Sequence, residues 1–195
     1  MLYADFISLS QSCAPDVHPV TMAAVATVES ALHPYAIGVV RGQLMRQPAS
    51  LEEAVATVKM LDKAGFNFSM GLAQVNRYNL KKYNLDYETV FDPCKNLKAA
   101  SLILKECFER ARPRFAEKQQ ALQAAFSCYY SGNFSTGFQA ENAGQPSYVQ
   151  KIVGRVQASN TFASTQPIVV VRTKRKAKLP RAVVPDETTA AMVFR

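Results

Sequence analysis

Three short stretches of this chain carry residue types that can do chemistry. The first is "ATVESALHPYAIG", residues 26–38, in which Glu29 is the one carboxylate in a run of mostly small and apolar residues. A carboxylate on an apolar helix face loses hydration when ionised, so its pKa rises. A carboxyl kept protonated near neutral pH is a general acid. The second is "SMGLAQVN", residues 69–76. Gly71 lets a backbone approach a ligand closely, and Gln74 and Asn76 can each donate and accept hydrogen bonds, as the amides and hydroxyls of a sugar require. The third is "FSCYYSGNF", residues 126–134, where Tyr129 and Tyr130 can offer ring faces and hydroxyls to a groove. The chain has no tryptophan, so stacking on a sugar falls to Tyr or Phe. Each stretch alone also has a plainer account: a helix-end glutamate turned to solvent, an ordinary polar turn, and aromatics packed in a core.

The elements that must position these residues are mostly helical. Met22, Val25, Glu29 and Leu32 recur at spacings of three and four, which predicts a helix from Pro19 to about Leu32 with Glu29 on its apolar stripe. His33-Pro34 ends it, because a residue before proline is pushed out of the α region. Residues 35–49, with Gly38, Gly42 and Pro48, read as an irregular loop. Ser50-Leu51-Glu52-Glu53 is a capping-box signature and opens a helix to about Ala64, where Gly65 supplies the stop. Residues 66–80 read as a loop or a short β-ribbon lying across a site. Asp92-Pro93 suits an N-cap followed by proline at the first helical position. That helix runs to about Ala111 and presents Leu97, Ala100, Leu104, Cys107, Phe108 and Ala111 on one face, until Pro113 stops it. Residues 117–131 form another helix, carrying Leu122, Ala125, Phe126 and Tyr129 and closed by Gly132; a last one, roughly Ser147 to Ala158, carries Tyr148, Ile152, Val153 and Val156.

The totals bound the class. A chain of 195 residues with 48% hydrophobic and 19% charged residues suits one globular domain, or one domain plus a tail. No apolar run reaches the ~18–20 residues of a membrane-spanning helix. "MLYADFISLS" shows no recognisable export signal, since no Lys or Arg precedes Arg41 and Asp5 interrupts the apolar residues. The net charge of +8 is uneven: the residues from Asn160 onward hold +5 and the remaining 159 hold +3. Composition therefore divides the chain into a domain, 1–161, and a flexible, disordered basic tail, 162–195, in which "PIVVV" can add as a strand to a partner. The run "RTKRKAKLPR" reads as a solvated tail; such runs give salt-sensitive, non-specific affinity for phosphates, so no specific nucleic-acid partner is expected. Four cysteines, Cys13, Cys94, Cys107 and Cys128, fit a disulfide framework in an oxidising compartment, with three possible connectivities. Buried free thiols in a cytosolic protein are the alternative. With no CxxC pair and only His18 and His33, a metal site is not expected.

In this order the three stretches resemble the lytic transglycosylase family with the goose-type lysozyme-like fold. The family's pattern runs E-S, then P-x-A, then G-L-M-Q, then a Y-N-A-G-like motif. Here it stands as Glu29-Ser30, Pro34-Tyr35-Ala36, Gly71-Leu72-Ala73-Gln74 and Tyr129-Tyr130-Ser131-Gly132. "NFSMGLAQVNRYNL" and "AFSCYYSGNF", with the long insert before the former, are similar to one subgroup, the peptidoglycan-cleaving transglycosylases of bacterial type IV secretion systems. The resemblance covers about 13–158. Ala73 departs from the usual methionine, Tyr130 and Ser131 replace asparagine and alanine, and the insert of residues 41–66 is long enough to form a wall of the groove.

The resemblance implies a mainly α, lysozyme-like α+β domain with a ribbon or loop beside the active-site groove. It implies that Glu29 acts as acid and then base on the MurNAc–GlcNAc β-1,4 bond, leaving a 1,6-anhydro sugar. Ser30 would orient Glu29 or the substrate's acetamido group. Gln74, Asn76 and the Gly71–Leu72 backbone would bind substrate, and Tyr129 would hydrogen-bond near Glu29. No second carboxylate stands at a recognisable spacing; Asp62 fits an exposed helix face and Asp92 an N-cap. The implied setting is the periplasm, the partners are glycan strands and other secretion-system components reached through the tail, and no cofactor is required. A hydrolysing lysozyme on the same fold and a glycan-binding assembly factor that does not cut are the competing readings. For the cysteines, Cys94 and Cys107 lie about 20 Å apart along one helix, too far to pair. Placing Cys128 near the catalytic end of Glu29's helix and Cys13 near its far end then implies Cys94–Cys128 and Cys13–Cys107.

Overall fold

Alanines decide where the helices of this protein meet. The computed structural model describes residues 1–162. The expected tail beyond Phe162, with its strand-forming and basic runs, lies outside the described residues. Helix α2 (Pro19–Ser30) carries Ala23, Ala24 and Ala26 beside Met22 and Val25, all buried. Such small side chains admit close neighbours, and α1 (Tyr3–Cys13) and α6 (Tyr148–Phe162) both pack on α2. Helix α4 (Pro93–Ala111) buries Leu97, Ala100, Leu104, Cys107 and Ala111, the face that its periodicity predicts, with Phe108 half-buried. Its main neighbour is α5 (Lys118–Ser131), which also touches α6.

The helix starts follow from their caps. Pro19 occupies the first turn of α2, and His18 Nδ1 accepts from the Val20 N–H at 3.3 Å. Asp92 accepts from the Lys95 N–H at 2.8 Å at the head of α4. Ser50 caps α3 (Leu51–Lys63) by accepting from the Glu53 N–H at 3.3 Å. The Glu53 carboxylate accepts from the Ala49 N–H, one residue beyond the expected box, and pairs with Arg46.

Three short strands form an antiparallel sheet in the order β1 (Ile37–Val39), β2 (Phe68–Met70), β3 (Val75–Asn76). Ile37 pairs with Met70 and Val39 with Phe68, while Met70 pairs with Val75. The ribbon expected over 66–80 is therefore present, with Gly71-Leu72-Ala73-Gln74 as its hairpin loop. Strand β1 departs from the irregular loop expected over 35–49. Its partner comes from beyond the insert, and three residues are too few for an alternation to show. Gln47 extends the sheet edge: its side-chain amide accepts from the Ile37 N–H at 2.8 Å and donates to the Ile37 carbonyl at 3.1 Å.

Other boundaries also moved. Helix α1 had no sequence signal; it buries Phe6, Ser10 and Cys13. Helix α2 stops at Ser30, before His33-Pro34, because Ala31 and Leu32 both turn left-handed with φ of 51° and 63°. Helix α6 runs four residues past Ala158 to Phe162.

The disulfides are Cys13–Cys94 and Cys107–Cys128, with Cα separations of 5.2 and 5.7 Å. This corrects the pairing Cys94–Cys128 and Cys13–Cys107. Helices α4 and α5 form a hairpin in which the C-terminal half of α4 faces α5, so Cys107 meets Cys128. The head of α4 is instead reached by the unforeseen α1, whose last residue is Cys13. The two bridges close loops with sequence separations of 81 and 21. Loop entropy then makes the Cys13→Ser/Cys94→Ser pair of changes cost about 4.5 kcal/mol and the Cys107→Ser/Cys128→Ser pair about 3.3 kcal/mol. Guanidinium unfolding of the two double variants checks the order, and a non-reducing peptide map checks the pairing.

Candidate active site

Glu29 occupies the last turn of α2 and faces a groove of about 1310 Å³. The stripe that carries it is buried through Met22 and Val25 and opens only at its end. Tyr148, the first residue of α6, donates its hydroxyl hydrogen bond to Glu29 Oε1. Burial pushes the Glu29 carboxyl up to about 7, and the Tyr148 hydrogen bond offsets part of that rise. Burial and then the neighbouring Glu29 charge raise Tyr148 and Tyr129 well above the usual phenol range, so both remain neutral donors. A carboxyl balanced near neutrality can both give and take a proton.

The hairpin loop that faces Glu29 is held by its backbone. Asn96, fully buried on α4, accepts from the Ala73 N–H at 2.9 Å and donates to the Met70 and Val90 carbonyls at 2.9 and 2.8 Å. Gly71 sits against it with φ of +79°, and a Cβ there would lie 2.3 Å from Asn96 Nδ2. Both the conformation and the space therefore demand glycine. Ser30 Oγ donates to the Leu72 carbonyl at 2.6 Å and also reaches the Ala26 carbonyl at 3.1 Å. Tyr129 donates to the Ala73 carbonyl. Gln74, itself left-handed at φ 50°, donates from Nε2 to the Ala36 and Gly71 carbonyls at 3.0 and 2.9 Å. Its Oε1 lies over Gly38, where a Cβ would come within 2.6 Å of it.

The residues singled out in the sequence thus separate into two groups. Glu29, Gln74, Asn76 and Tyr129 line the groove, whereas Ser30, Gly71 and Leu72 lie behind it. Asn76 donates to Asn67 Oδ1 and Ser69 Oγ at 3.0 and 3.2 Å and accepts from the Tyr78 N–H. Arg41, Gln43, Leu44 and Gln47 from the long insert form part of the groove lining. Asp62 pairs with Arg77, and Asp92 caps α4. Besides Glu29, the carboxylates on the groove are Glu106, engaged by Lys82 and Tyr83, and Glu141, which accepts from Tyr130 at 2.6 Å. Two residues with clear roles were not singled out. Tyr148 read only as an apolar-face residue, although a tyrosine at a helix start on that face needs a partner for its hydroxyl. Asn96 had a weaker signal, a buried amide among Leu97, Ala99 and Ala100. Among the described residues, no group of His, Cys, Asp or Glu is placed to hold a metal ion, and no helix is long and apolar enough to cross a membrane.

A helical domain with a three-stranded ribbon, a groove between them and one raised-pKa glutamate at a helix end defines a lysozyme-like glycan-cleaving architecture. Residues 7–151 match the family model of the transglycosylase SLT domain, and the chain belongs to that family, as a peptidoglycan lytic transglycosylase. It is 53% identical over 180 residues to the type IV secretion system protein virB1 of Brucella abortus, covering 92% of this chain and 73% of that protein. It is 30% identical over 139 residues to protein virB1 of Agrobacterium fabrum, covering 70% of this chain and 55% of that protein. The protein virB1 of Rhizobium radiobacter is 33% identical over 136 residues, covering 69% and 56%. No solved structure gives a significant match.

Asn96→Ala leaves one N–H and two carbonyls unpaired in the interior, at a cost of about 3–5 kcal/mol; urea unfolding measures it. Glu29 generates a second expectation. Its folded pKa of about 7 lies above the ordinary 4.5, so the folded state holds a proton that the unfolded state has released between those values. Stability therefore falls as pH rises through this window and stays lowered above it. Glu29→Gln removes the slope: its melting curve should match wild type near pH 4.5 and exceed it above pH 7 by on the order of 2–3 kcal/mol.

Proposed function

We propose that this enzyme cleaves the MurNAc–GlcNAc β-1,4 bond of peptidoglycan with formation of 1,6-anhydroMurNAc. The observation that carries this reading is the isolation of Glu29. It is the groove carboxyl held near neutrality, while Glu106 and Glu141 are each engaged by their own donors. Glycosidases commonly divide the work between two carboxylates; a single acid must be paired with groups on the substrate. Protonated Glu29 donates to the glycosidic oxygen as the C1–O bond breaks. The MurNAc acetamido oxygen stabilises the positive charge at C1. Glu29, now ionised, takes the proton from the C6 hydroxyl, and O6 closes on C1, so the acid is regenerated and no water is consumed. Tyr148 holds the carboxyl in place through both steps. Gln74 Oε1, above Gly38, and the remaining acceptor capacity of Asn76 Oδ1 would receive hydrogen bonds from sugar amides and hydroxyls.

The Brucella abortus relative's name, a type IV secretion system protein, supports a place in type IV secretion. We assign cleavage to residues 1–161, acting in the periplasm to open the wall locally for assembly of the secretion apparatus, and contact with its other components to 162–195. Mass spectrometry of products from purified sacculi tests the chemistry. Wild type should release anhydro-muropeptides, and Glu29→Gln should lower their release by about 10²-fold or more. Products ending in reducing MurNAc would identify a hydrolase, and undiminished cleavage by Glu29→Gln would remove Glu29 from the chemistry.

A further inference from the structure

Tyr130 departs from the family pattern, in which an asparagine stands at this position, and the fold gives its ring a definite neighbour. It lies on Tyr148 with ring centroids 4.6 Å apart and planes inclined by 20°. Its hydroxyl donates to Glu141 Oε1 at 2.6 Å, and Glu141 belongs to the segment that leads into α6. Tyr148 is only 6% exposed, whereas Tyr130 is 41% exposed and lines the groove. Tyr130 is thus the outer ring of the pair. Tyr148 is the inner one, and its hydroxyl rests on Glu29.

We propose that Tyr130 is a positioning residue for the catalytic acid: stacked on Tyr148 and tied to Glu141, it fixes the Tyr148 hydroxyl on Glu29 and keeps water out of that contact. This rests on the assignment of Glu29 as the acid. A tyrosine side chain swings its hydroxyl on a long arm, so a small rotation of Tyr148 moves the donor off the carboxyl. A flat ring packed on its face blocks that rotation, which an asparagine side chain is too small to do. Tyr130 lines the groove and Tyr148 does not, so loss of the outer ring opens the Tyr148 side of its contact with Glu29 to the groove. The groups around Glu29 are Tyr129 and Tyr130 from α5 and Tyr148 from α6. The hairpin presents the uncharged Gln74 and Asn76, and Arg41, Lys82, Glu106, Arg110 and Glu141 are the charged residues elsewhere on the groove. Of these, Tyr130 is the one that joins the groove rim to the acid's own hydrogen-bond donor.

The sign of the pH effect follows. Protonated Glu29 performs the first step, so turnover falls as pH rises through its pKa. Water admitted by loss of the Tyr130 ring lowers that pKa, whereas a loosened Tyr148 hydrogen bond raises it. Burial is the larger of the two causes, so the net movement of the pKa and of the alkaline limb is to lower pH. The test measures the pH dependence of muropeptide release from purified sacculi by wild type, Tyr130→Phe, Tyr130→Asn and Tyr130→Ala. The alanine and asparagine variants should shift the alkaline limb downward by about one pH unit. They should also lower kcat by about tenfold with KM nearly unchanged. Tyr130→Phe, which keeps the stack, should retain the wild-type limb. Wild-type profiles in both alanine and asparagine variants would overturn the proposal, as would a rise in KM alone, which would make Tyr130 a sugar contact. Should the alanine variant not fold, by near-ultraviolet circular dichroism, the asparagine variant decides. A ¹³C NMR titration of the Glu29 carboxyl gives the same comparison without turnover: a downward shift in Tyr130→Asn supports the proposal even in a protein whose wild type releases no anhydro product, and an unchanged titration overturns it.

Discussion

Asn96 is a neutral side chain with no access to solvent, yet three backbone positions are tied together through it. Its amide holds the two ends of the ribbon's turn, at Met70 and Ala73, and ties both to the Val90 carbonyl just ahead of α4. Leu72 and Ala73 bury their side chains in the core, but packing alone cannot set the conformation of the four-residue loop. It must be fixed through backbone groups, each of which costs free energy if left unpaired in the interior. Ser30 and Tyr129 complete the arrangement from α2 and α5. The loop is thereby registered against the end of the helix that carries the acid. This is why serine follows the glutamate: it ties Glu29's helix to the facing loop.

The acid itself is held against its own preference. Burial disfavours its charged form, while the Tyr148 hydroxyl partly compensates. The chain just beyond it runs through two successive left-handed residues that are not glycine, a conformation that costs on the order of 1 kcal/mol at each. Both features sit at the groove end of α2, and both are sustained by the alanine-lined packing along the rest of that helix. Rigidity in the domain and discomfort at the site are in this sense parts of one design.

Much of this was legible in local sequence. Pro19, Ser50 and Asp92 mark helix starts because a cap acts within three residues of itself, and Gly65 and Gly132 mark ends for the same reason. Glu29 was legible because helical spacing placed it on an apolar stripe. What sequence could not show is long-range. Strand β1 exists because β2 pairs with it from across the insert. Tyr148 reaches Glu29 across 119 residues of chain. The disulfide pairing escapes the sequence because α1 carries no local signal, and α1 is what brings Cys13 to the head of α4. The family resemblance implies a hydrogen bond from Tyr129 near Glu29; Tyr129 lines the groove, but its hydroxyl goes to the loop, and the acid's donor comes from the next helix.

Helix α5 carries three consecutive residues with three different attachments. Cys128 is bonded to α4, Tyr129 to the ribbon's turn, and Tyr130 to the ring of Tyr148. Successive helical residues point about 100° apart, so one short segment reaches three neighbours at once. The segment behaves like the bit of a key. Exchange of a single side chain alters one attachment and leaves the others aligned. Insertion or deletion of one residue upstream within the helix rotates all three away together. Divergence in this family should therefore be tolerant of substitution along α5 and intolerant of any change in the spacing between its buried alanines and this triplet.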